Sequence, residues 1–443
     1  MKNPYHISEV TIENIRGFDR IHLDLNNDQK NNVSNWNLIL GDNGVGKTTF
    51  LRCLAIALGD REHASALLRD SQGDWLSDGV DKGSIKIKLM CPKNHEDVAS
   101  VRMDIERKGE KEEIKYTRKE SKGDGHFTDR IFVCAYGGAR VLNATEDFER
   151  YRAIDAVYNL FQYSTVLQNP ELIIRRVEDW GGDRDELLSS LNKLLMLPEG
   201  AINLGKTGLE LKGPWKSSTQ LKVLGDGYRS IINWVSDLIG WSIYYYDELV
   251  KPEDLFGIVL LDEIELNLHP KWQRKIINLL HEQFPNLQFF VSSHSAVCTL
   301  GLTDIEDECE SKIFVFDYSS EGVVATETQV STARQRLDRI LTSTLFQLQS
   351  VSDDATDNMI LELAAMPSSD DERSSEIVEK EKDLIAKINA SIAGTTVDKG
   401  DVIGKAFSTG LEDQLMRVMG KHSLDKVQET IDKVEIKRKL SGI

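Results

Sequence analysis

The chain has 443 residues, 40% of them hydrophobic, and its 54 Lys and Arg face 72 Asp and Glu for a formal net charge of −18. This is a globular composition, long enough for one large domain with an appendage or for several smaller ones. The acidic balance excludes a surface that binds nucleic acid throughout, because phosphate neutralisation needs Lys and Arg presented together; a DNA role would need a concentrated basic site, an oligomer that aligns such sites, or a basic partner. No apolar run is long enough to cross a bilayer and the start Met1-Lys2-Asn3-Pro4 is not a secretory signal, so the expected compartment is the cytoplasm, with no membrane partner. The five cysteines, Cys53, Cys91, Cys134, Cys298 and Cys309, show no C-x-x-C spacing and are expected as reduced thiols. Cys91 with His95 is read as a solvated turn rather than as a metal site.

The opening runs His6 to Ile12 and Arg20 to Leu25 alternate as strands around Asn14-Ile15-Arg16-Gly17-Phe18, and read as a hairpin beside the next strand. That strand, Asn37-Leu38-Ile39-Leu40, runs into Gly41-Asp42-Asn43-Gly44-Val45-Gly46-Lys47-Thr48-Thr49, a G-x-x-x-x-G-K-[ST] loop. Gly41, Gly44 and Gly46 let the backbone fold into a nest of N–H groups around phosphate oxygens. A helix from Thr48 to about Leu58 adds its positive end. Lys47 is then expected to reach the β- and γ-phosphates of ATP and the Thr48 hydroxyl to ligate Mg2+, with Asn43 and Thr49 completing the nucleotide contacts.

Residues 84–118 return to short alternating strands, with a solvated hairpin tip at Lys108-Gly109-Glu110-Lys111-Glu112-Glu113. An apolar strand from Arg130 to Ala135 ends at Tyr136-Gly137-Gly138-Ala139-Arg140. From Thr145 to Leu211, helical periodicity with breaks at Trp180-Gly181-Gly182 and Leu204-Gly205-Lys206 predicts a mostly helical insertion. A helix from Gly225 to Tyr246 follows, then a strand from Gly257 to Leu261, a helix from Pro270 to Glu282 and a last strand from Leu287 to Val291. Beyond about Ser331 the sequence is helix-forming and charge-rich, with an acidic stretch from Asp353 to Asp383. There is no internal repeat and no sustained heptad block. The expected division is 1–144, 145–215, 216–330 and 331–443.

Gly257 to Leu261 is apolar throughout and ends in Asp262-Glu263, which an α/β sheet would place at its carboxyl edge beside the phosphate loop. Asp262 is expected to hold Mg2+ through its water shell. Glu263 is the candidate to orient and deprotonate the attacking water; the competing reading is a surface turn after a core strand. His294 follows the next apolar strand, lands at the same edge and can donate to the γ-phosphate or the attacking water.

Three further pieces resemble an ABC-type ATPase of the SMC/RecF-like kind rather than an AAA+ ring motor or a small GTPase. The opening ISEVTIENIRGFDRIHLDL resembles that family's first hairpin, which implies that Arg16 lies near the nucleotide. Asp262-Glu263-Ile264-Glu265-Leu266-Asn267-Leu268-His269-Pro270 resembles its DE-x-E-x-x-LHP segment, which carries the D-loop at the dimer interface. Leu224-Gly225-Asp226-Gly227-Tyr228-Arg229-Ser230 stands at the place of the ABC signature. The resemblance implies an α/β fold, a P-loop NTPase with an ABC-type head, a mixed central sheet flanked by helices, a helical insertion and a C-terminal helical appendage. It also implies two chains sandwiching two ATPs head to tail, with Gly225, Asp226 and Gly227 meeting the γ-phosphate held by the other subunit. One departure is that the family's serine is here Gly225, so no hydroxyl reaches that phosphate and hydrolysis is expected to be slow, a timer or sensor.

The LGDGYRS wording, the YGGAR strand end at the Q-loop place and LNLHPKWQRKIINLL further resemble the ATPases of the anti-phage Septu system and those accompanying retrons. That resemblance implies a homo-oligomer, a dimer or a dimer of dimers or higher, which binds a separate HNH-type nuclease, or a retron reverse transcriptase with its RNA, and holds the effector inactive until infection. After His294 the sequence shows neither the strand-borne Glu nor the Asp-x-Asp of an attached TOPRIM nuclease, so the cutting chemistry is expected on another polypeptide. The alternatives are a SMC/RecF-like DNA-repair clamp, which expects a long coiled coil and a basic top surface, and a transporter's nucleotide-binding subunit, which the ENIRGF opening and LHP segment do not fit. Arg334, Arg336 and Arg339 with Leu337, Ile340, Leu341 and Leu345 read as a helix seated on another subunit, or as part of a solvated helix pair that dimerises the head. Gly404 to Leu440 is a further amphipathic candidate.

Overall fold

The computed structural model of the protein describes residues 5–27, 32–59, 61–71, 73–109, 111–120, 131–140, 155–162, 165, 167–205, 208–212, 219–302, 304–305, 310–320, 322–328, 335, 337–348, 350–364, 366 and 375–392. Arg334, Arg336, Cys309 and the candidate Gly404 to Leu440 lie outside the described residues. The chain divides into two compact units, Met1–Ile340 and Leu341–Ile443.

The first unit opens with β1 (His6–Ile15), β2 (Phe18–Asp24), the short pair β3 (Asn26–Asn27) and β4 (Asn32–Val33), and β5 (Trp36–Gly41). Next come α1 (Lys47–Leu58), α2 (Arg61–Asp70), β6 (Lys82–Cys91), β7 (Asn94–Lys108), β8 (Lys111–Glu120) and β9 (Val133–Tyr136). The insertion holds α3 (Asp155–Tyr158), α4 (Pro170–Arg176), α5 (Arg184–Leu194), β10 (Ile202–Gly205), β11 (Gly208–Leu211) and β12 (Thr219–Gln220). The rest of the unit is α6 (Asp226–Tyr246), β13 (Gly257–Leu261), α7 (Pro270–Gln273), α8 (Ile276–Gln283), β14 (Leu287–Ser292), α9 (Ala296–Leu302), β15 (Ser311–Ser319) and β16 (Gly322–Glu327). After α10 (Leu337–Leu341), the second unit holds α11 (Asp354–Ala364) and α12 (Ser375–Ile392), which pack through Ile360 and Leu363 on one and Leu384 and Ile388 on the other.

Two sheets position the site. The antiparallel one runs β2-β1-β6-β7-β8, and its strands alternate between buried and more exposed residues, as one-sided burial requires. The other runs β16-β15-β5-β14-β13-β9, with every pairing parallel except β15 to β16. Its inner strands β13 and β14 are buried at every position, which suits continuous apolar runs covered on both faces. Helix α1 packs on both sheets and is buried through Phe50, Leu51, Leu54 and Ile56. Buried Gln288 of β14 joins the sheets directly: its amide oxygen accepts from the Ile7 N–H at 2.7 Å, and its amide nitrogen donates to the Ile7 and Ser34 carbonyls.

Several expectations are corrected. The opening hairpin forms, but not beside the phosphate-loop strand: β1 pairs with β2 and β6, while β5 lies between β14 and β15. Leu287 to Val291 is not the last strand, since the β15–β16 hairpin extends the central sheet beyond it. The stretch read as mostly helical also carries the strands β10 and β11, which pair with β12 just beyond it in an antiparallel sheet, and the helix expected over Pro270 to Glu282 is two helices, α7 and α8. Cys53, Cys91, Cys134 and Cys298 are buried free thiols, and Cys91 ends β6 at its turn into β7. Among the described residues no helix is long and apolar enough to cross a membrane.

Candidate functional site

Strand β5 is buried until Gly41, where the chain leaves the sheet edge and turns through the glycine loop into α1. Gly41, Gly44 and Gly46 all have positive φ (141°, 87° and 92°). At Gly46 a side chain is excluded twice over, since its φ is left-handed and an added Cβ would stand 2.6 Å from the Phe18 ring. The cradle is therefore built for backbone N–H groups, the donors a phosphate needs. Asn43 is exposed at the loop's tip and Thr49 half-buried in the first turn of α1. Lys47 is buried and its Nζ donates to the carbonyls of Gly41 and Asp42, both at 2.8 Å. Burial lowers the Lys47 pKa, and the carboxylates of Asp262, Glu265, Asp42 and Glu263 oppose that shift.

Parallel packing brings the end of β13 to the same edge. The Thr48 hydroxyl donates to Asp262 Oδ2 at 2.7 Å and the Ser292 hydroxyl, at the end of β14, donates to Oδ1 at 2.5 Å. The Asp262 N–H donates to the Tyr136 carbonyl of β9 at 2.8 Å. Glu263 turns sharply, with φ of 50°, and its N–H donates to Ser292 Oγ at 2.9 Å. Its side chain points toward Gly138, where an added Cβ would lie 3.4 Å from Oε2. Thr48 and Asp262 thus present two oxygen donors at one point, the chemistry a hard divalent cation takes.

His294 is exposed just beyond β14, and its backbone N–H donates to Glu265 Oε1 at 2.6 Å. Glu265 itself belongs to the Asp262-to-Pro270 turn, so the histidine is tied to the segment that carries both acids. The buried Arg140 sends Nη2 to the carbonyls of Asp262, at 2.7 Å, and Glu263, at 3.1 Å. Burial lowers its pKa to about 10 against the pull of the carboxylates of Asp262, Glu265 and Glu263. It stays a cation at neutral pH.

The other nominated residues have different neighbours. Arg16 sits in the β1–β2 turn at a φ of 50°, with its guanidinium 4.3 Å from the centre of the Trp75 ring. Burial and the nearby Arg52 lower its pKa. Gly225 is the N-cap of α6 and supplies no side-chain cap, while Asp226 pairs with Arg229. At Gly227 the helix presses on the turn after β13, where an added Cβ would stand 2.7 Å from the Asn267 carbonyl. So Lys47, Thr48, Asp262 and Glu263 form one cluster and His294 joins it through Glu265. Ser292, Arg140 and Glu265 also hold that cluster together; of the three, Ser292 ends an apolar strand, whereas Arg140 and Glu265 each lie four residues beyond one, where no local signal marks them.

An AAA domain family matches residues 9–165, and a second, described as AAA domain, putative AbiEii toxin, Type IV TA system, matches residues 219–298. The chain is 28% identical over 304 residues to the Septu protein PtuA of Bacillus mycoides (strain KBAB4), an alignment covering 68% of this chain and 40% of the relative. It is 38% identical over 105 residues to the retron Vc95 probable ATPase of Vibrio cholerae serotype O1 biovar El Tor, covering 23% of this chain and 20% of that one. Against the endonuclease GajA of Bacillus cereus (strain VD045) it is 24% identical over 398 residues, covering 76% of this chain and 64% of the relative. The chain thus spans less than two thirds of the length of each of these relatives. The glycine cradle and the Asp262–Glu263 strand end thus lie within the two AAA-domain matches of one chain, which is similar to the Septu protein PtuA and to the retron Vc95 probable ATPase.

Proposed function

We propose that this chain is the ATP-binding and hydrolysing regulatory subunit of a multi-subunit anti-phage defence assembly, dimerising head to tail around ATP and controlling a separate effector nuclease. The observation that carries the catalytic part is the chain of contacts Thr48–Asp262–Ser292–Glu263, which links the phosphate loop to the main chain of the residue read as the base. Lys47 exchanges its two loop carbonyls for phosphate oxygens. Thr48 and Asp262 would hold Mg2+, which would neutralise charge on the β- and γ-phosphates. Glu263 takes a proton from the attacking water, and the exposed His294 imidazole donates to the γ-phosphate. The uncapped N-terminus of α6 at Gly225 to Gly227 offers N–H groups to the γ-phosphate held by a second copy. Without a hydroxyl at Gly225 this trans contact is weak, which suits slow turnover that times an assembly rather than driving a motor.

Similarity to the Septu protein PtuA and to retron ATPases supports the defence reading, and the acidic balance of the chain suits a basic partner. The partner proposed is an HNH-type nuclease, or a retron reverse transcriptase with its RNA. The test is to tag the chain in its native operon, carry Glu263→Gln to hold the ATP state, and identify co-purifying material by mass spectrometry. A stoichiometric nuclease or reverse transcriptase is the expected result. Recovery of the chain with long DNA alone would replace this reading with a DNA clamp.

A further inference from the structure

Arg140 stands apart from the groups that meet nucleotide, yet it is among the most constrained charges in the protein. It ends the segment after β9, is 8% exposed, and each of its hydrogen bonds to the acidic pair goes to a main-chain carbonyl. The Asp262 and Glu263 carboxylates are thereby left to other partners. The remaining guanidinium nitrogens reach Gly137 O at 3.2 Å and Ser230 Oγ of α6 at 3.4 Å, while the Asn233 side chain, also on α6, donates to the Arg140 carbonyl at 3.1 Å. Asn159 clamps the same segment by accepting from the Gly137 N–H and donating to the Ala139 carbonyl, both at 2.8 Å. Burying a guanidinium costs free energy that carbonyls alone recover poorly, so such a group persists where it organises others.

What it organises is visible at Glu263. That residue is held at a φ of 50°, a region sparsely populated by residues with a side chain, and its peptide is pinned from both sides: its N–H by Ser292 and its carbonyl by Arg140. We propose that Arg140 is a positioning residue for hydrolysis, locking the Asp262–Glu263 main chain to helix α6 so that the base and the signature-bearing helix move as one piece. A nucleotide engaged at the start of α6 is then felt at Glu263 through two side chains, Ser230 and Arg140. The inference rests on the reading of Glu263 as the base.

The test compares the parent with Arg140→Ala, Arg140→Lys, Ser230→Ala and the Arg140→Lys/Ser230→Ala double variant, with Lys47→Ala as the control for lost binding. Equilibrium ATP binding with Mg2+ and steady-state turnover are measured for each, with near-UV circular dichroism reporting the folded fraction. Expected are ATP affinities within about threefold of the parent and kcat lowered about tenfold or more in Arg140→Ala. Lys, reaching one carbonyl, restores part of the rate, and Ser230→Ala adds nothing to Arg140→Lys because both cut one relay. If Arg140→Ala does not fold, the Lys variant and the cycle with Ser230 decide alone. Unchanged kcat, or losses in binding and turnover that track the folded fraction, would overturn the inference while leaving the hydrolysis site standing. A parent that binds ATP but never turns it over would overturn the site reading and this inference together.

Discussion

Replacing Asp237 by Asn should remove a pH dependence that the fold builds into helix α6. Asp237 is 2% exposed; its Oδ1 accepts the Gln168 main-chain N–H at 2.8 Å and its Oδ2 the Tyr136 hydroxyl at 3.0 Å. Burial raises its pKa from 3.8 to about 7, against hydrogen bonds from Gln168, Tyr136 and Trp241 that favour the charged form. Because the folded pKa lies above the unfolded one, the native state binds more protons between these values, and stability falls as pH rises through that window. The contribution is fully present below 3.8 and gone above about 7. At about 1.4 kcal/mol per tenfold, the whole effect is about 4 kcal/mol, of which about 3 kcal/mol lies between about pH 5 and about pH 8. Asn keeps the acceptor for Gln168, turns an amide toward the Tyr136 oxygen and cannot ionise. Urea unfolding of both proteins across that range should show the parent losing about 3 kcal/mol relative to Asp237→Asn, other titrations cancelling in the difference. A gap that stays flat within about 0.5 kcal/mol would refute the assignment of a neutral buried acid.

Three predictions concern the nucleotide site itself. Lys47→Ala should abolish ATP binding, measured by equilibrium titration; affinity retained within about threefold of the parent would remove the phosphate-loop assignment. Glu263→Gln should preserve ATP binding, lower turnover by about a hundredfold or more and accumulate an ATP-bound assembly on size exclusion, whereas turnover near the parent rate would move the base elsewhere. Gly46→Ala forces a Cβ to 2.6 Å from the Phe18 ring at a φ of 92°, and should cost about 1–3 kcal/mol in denaturant unfolding along with ATP affinity; an unchanged midpoint would mean that Phe18 yields freely.

What the sequence made legible was contiguous. The phosphate loop and Asp262-Glu263 each combine an apolar strand with the residues that leave it, so strand, turn and chemistry are read from one window. What escaped was set by sheet order. Ser292 can hold Asp262 and Glu263 only because β14 pairs beside β13, and Arg140 can reach their carbonyls only because β9 pairs on the other side. No local pattern encodes either neighbour. The opening hairpin shows the same limit: alternation in β1 announces one-sided burial, but its second partner is β6, well along the chain, and not the adjacent β5. Strand β15 is not legible in the sequence although Ile313 to Phe316 is apolar, because its polar and charged flanks dilute a run that is short on its own.

The contacts of the phosphate loop bear on the proposed binding of nucleotide. Lys47 and Thr48 are each satisfied by the chain itself, Lys47 by two carbonyls and Thr48 by Asp262 Oδ2, so neither waits as an unpaired buried group. On the proposed function, ATP would exchange these hydrogen bonds one for another, and such exchanges change free energy by only about 1 kcal/mol each. The Ser292 bond to Asp262 Oδ1 and the Arg140 bonds to the main chain need not break at all, so the acid and the proposed base keep their places while the loop changes partners. On the proposed mechanism, the rate is then governed by what reaches Glu263 from α6, and a subunit bearing Gly225 at the start of that helix turns over only as fast as its partner's main-chain N–H groups can secure the γ-phosphate.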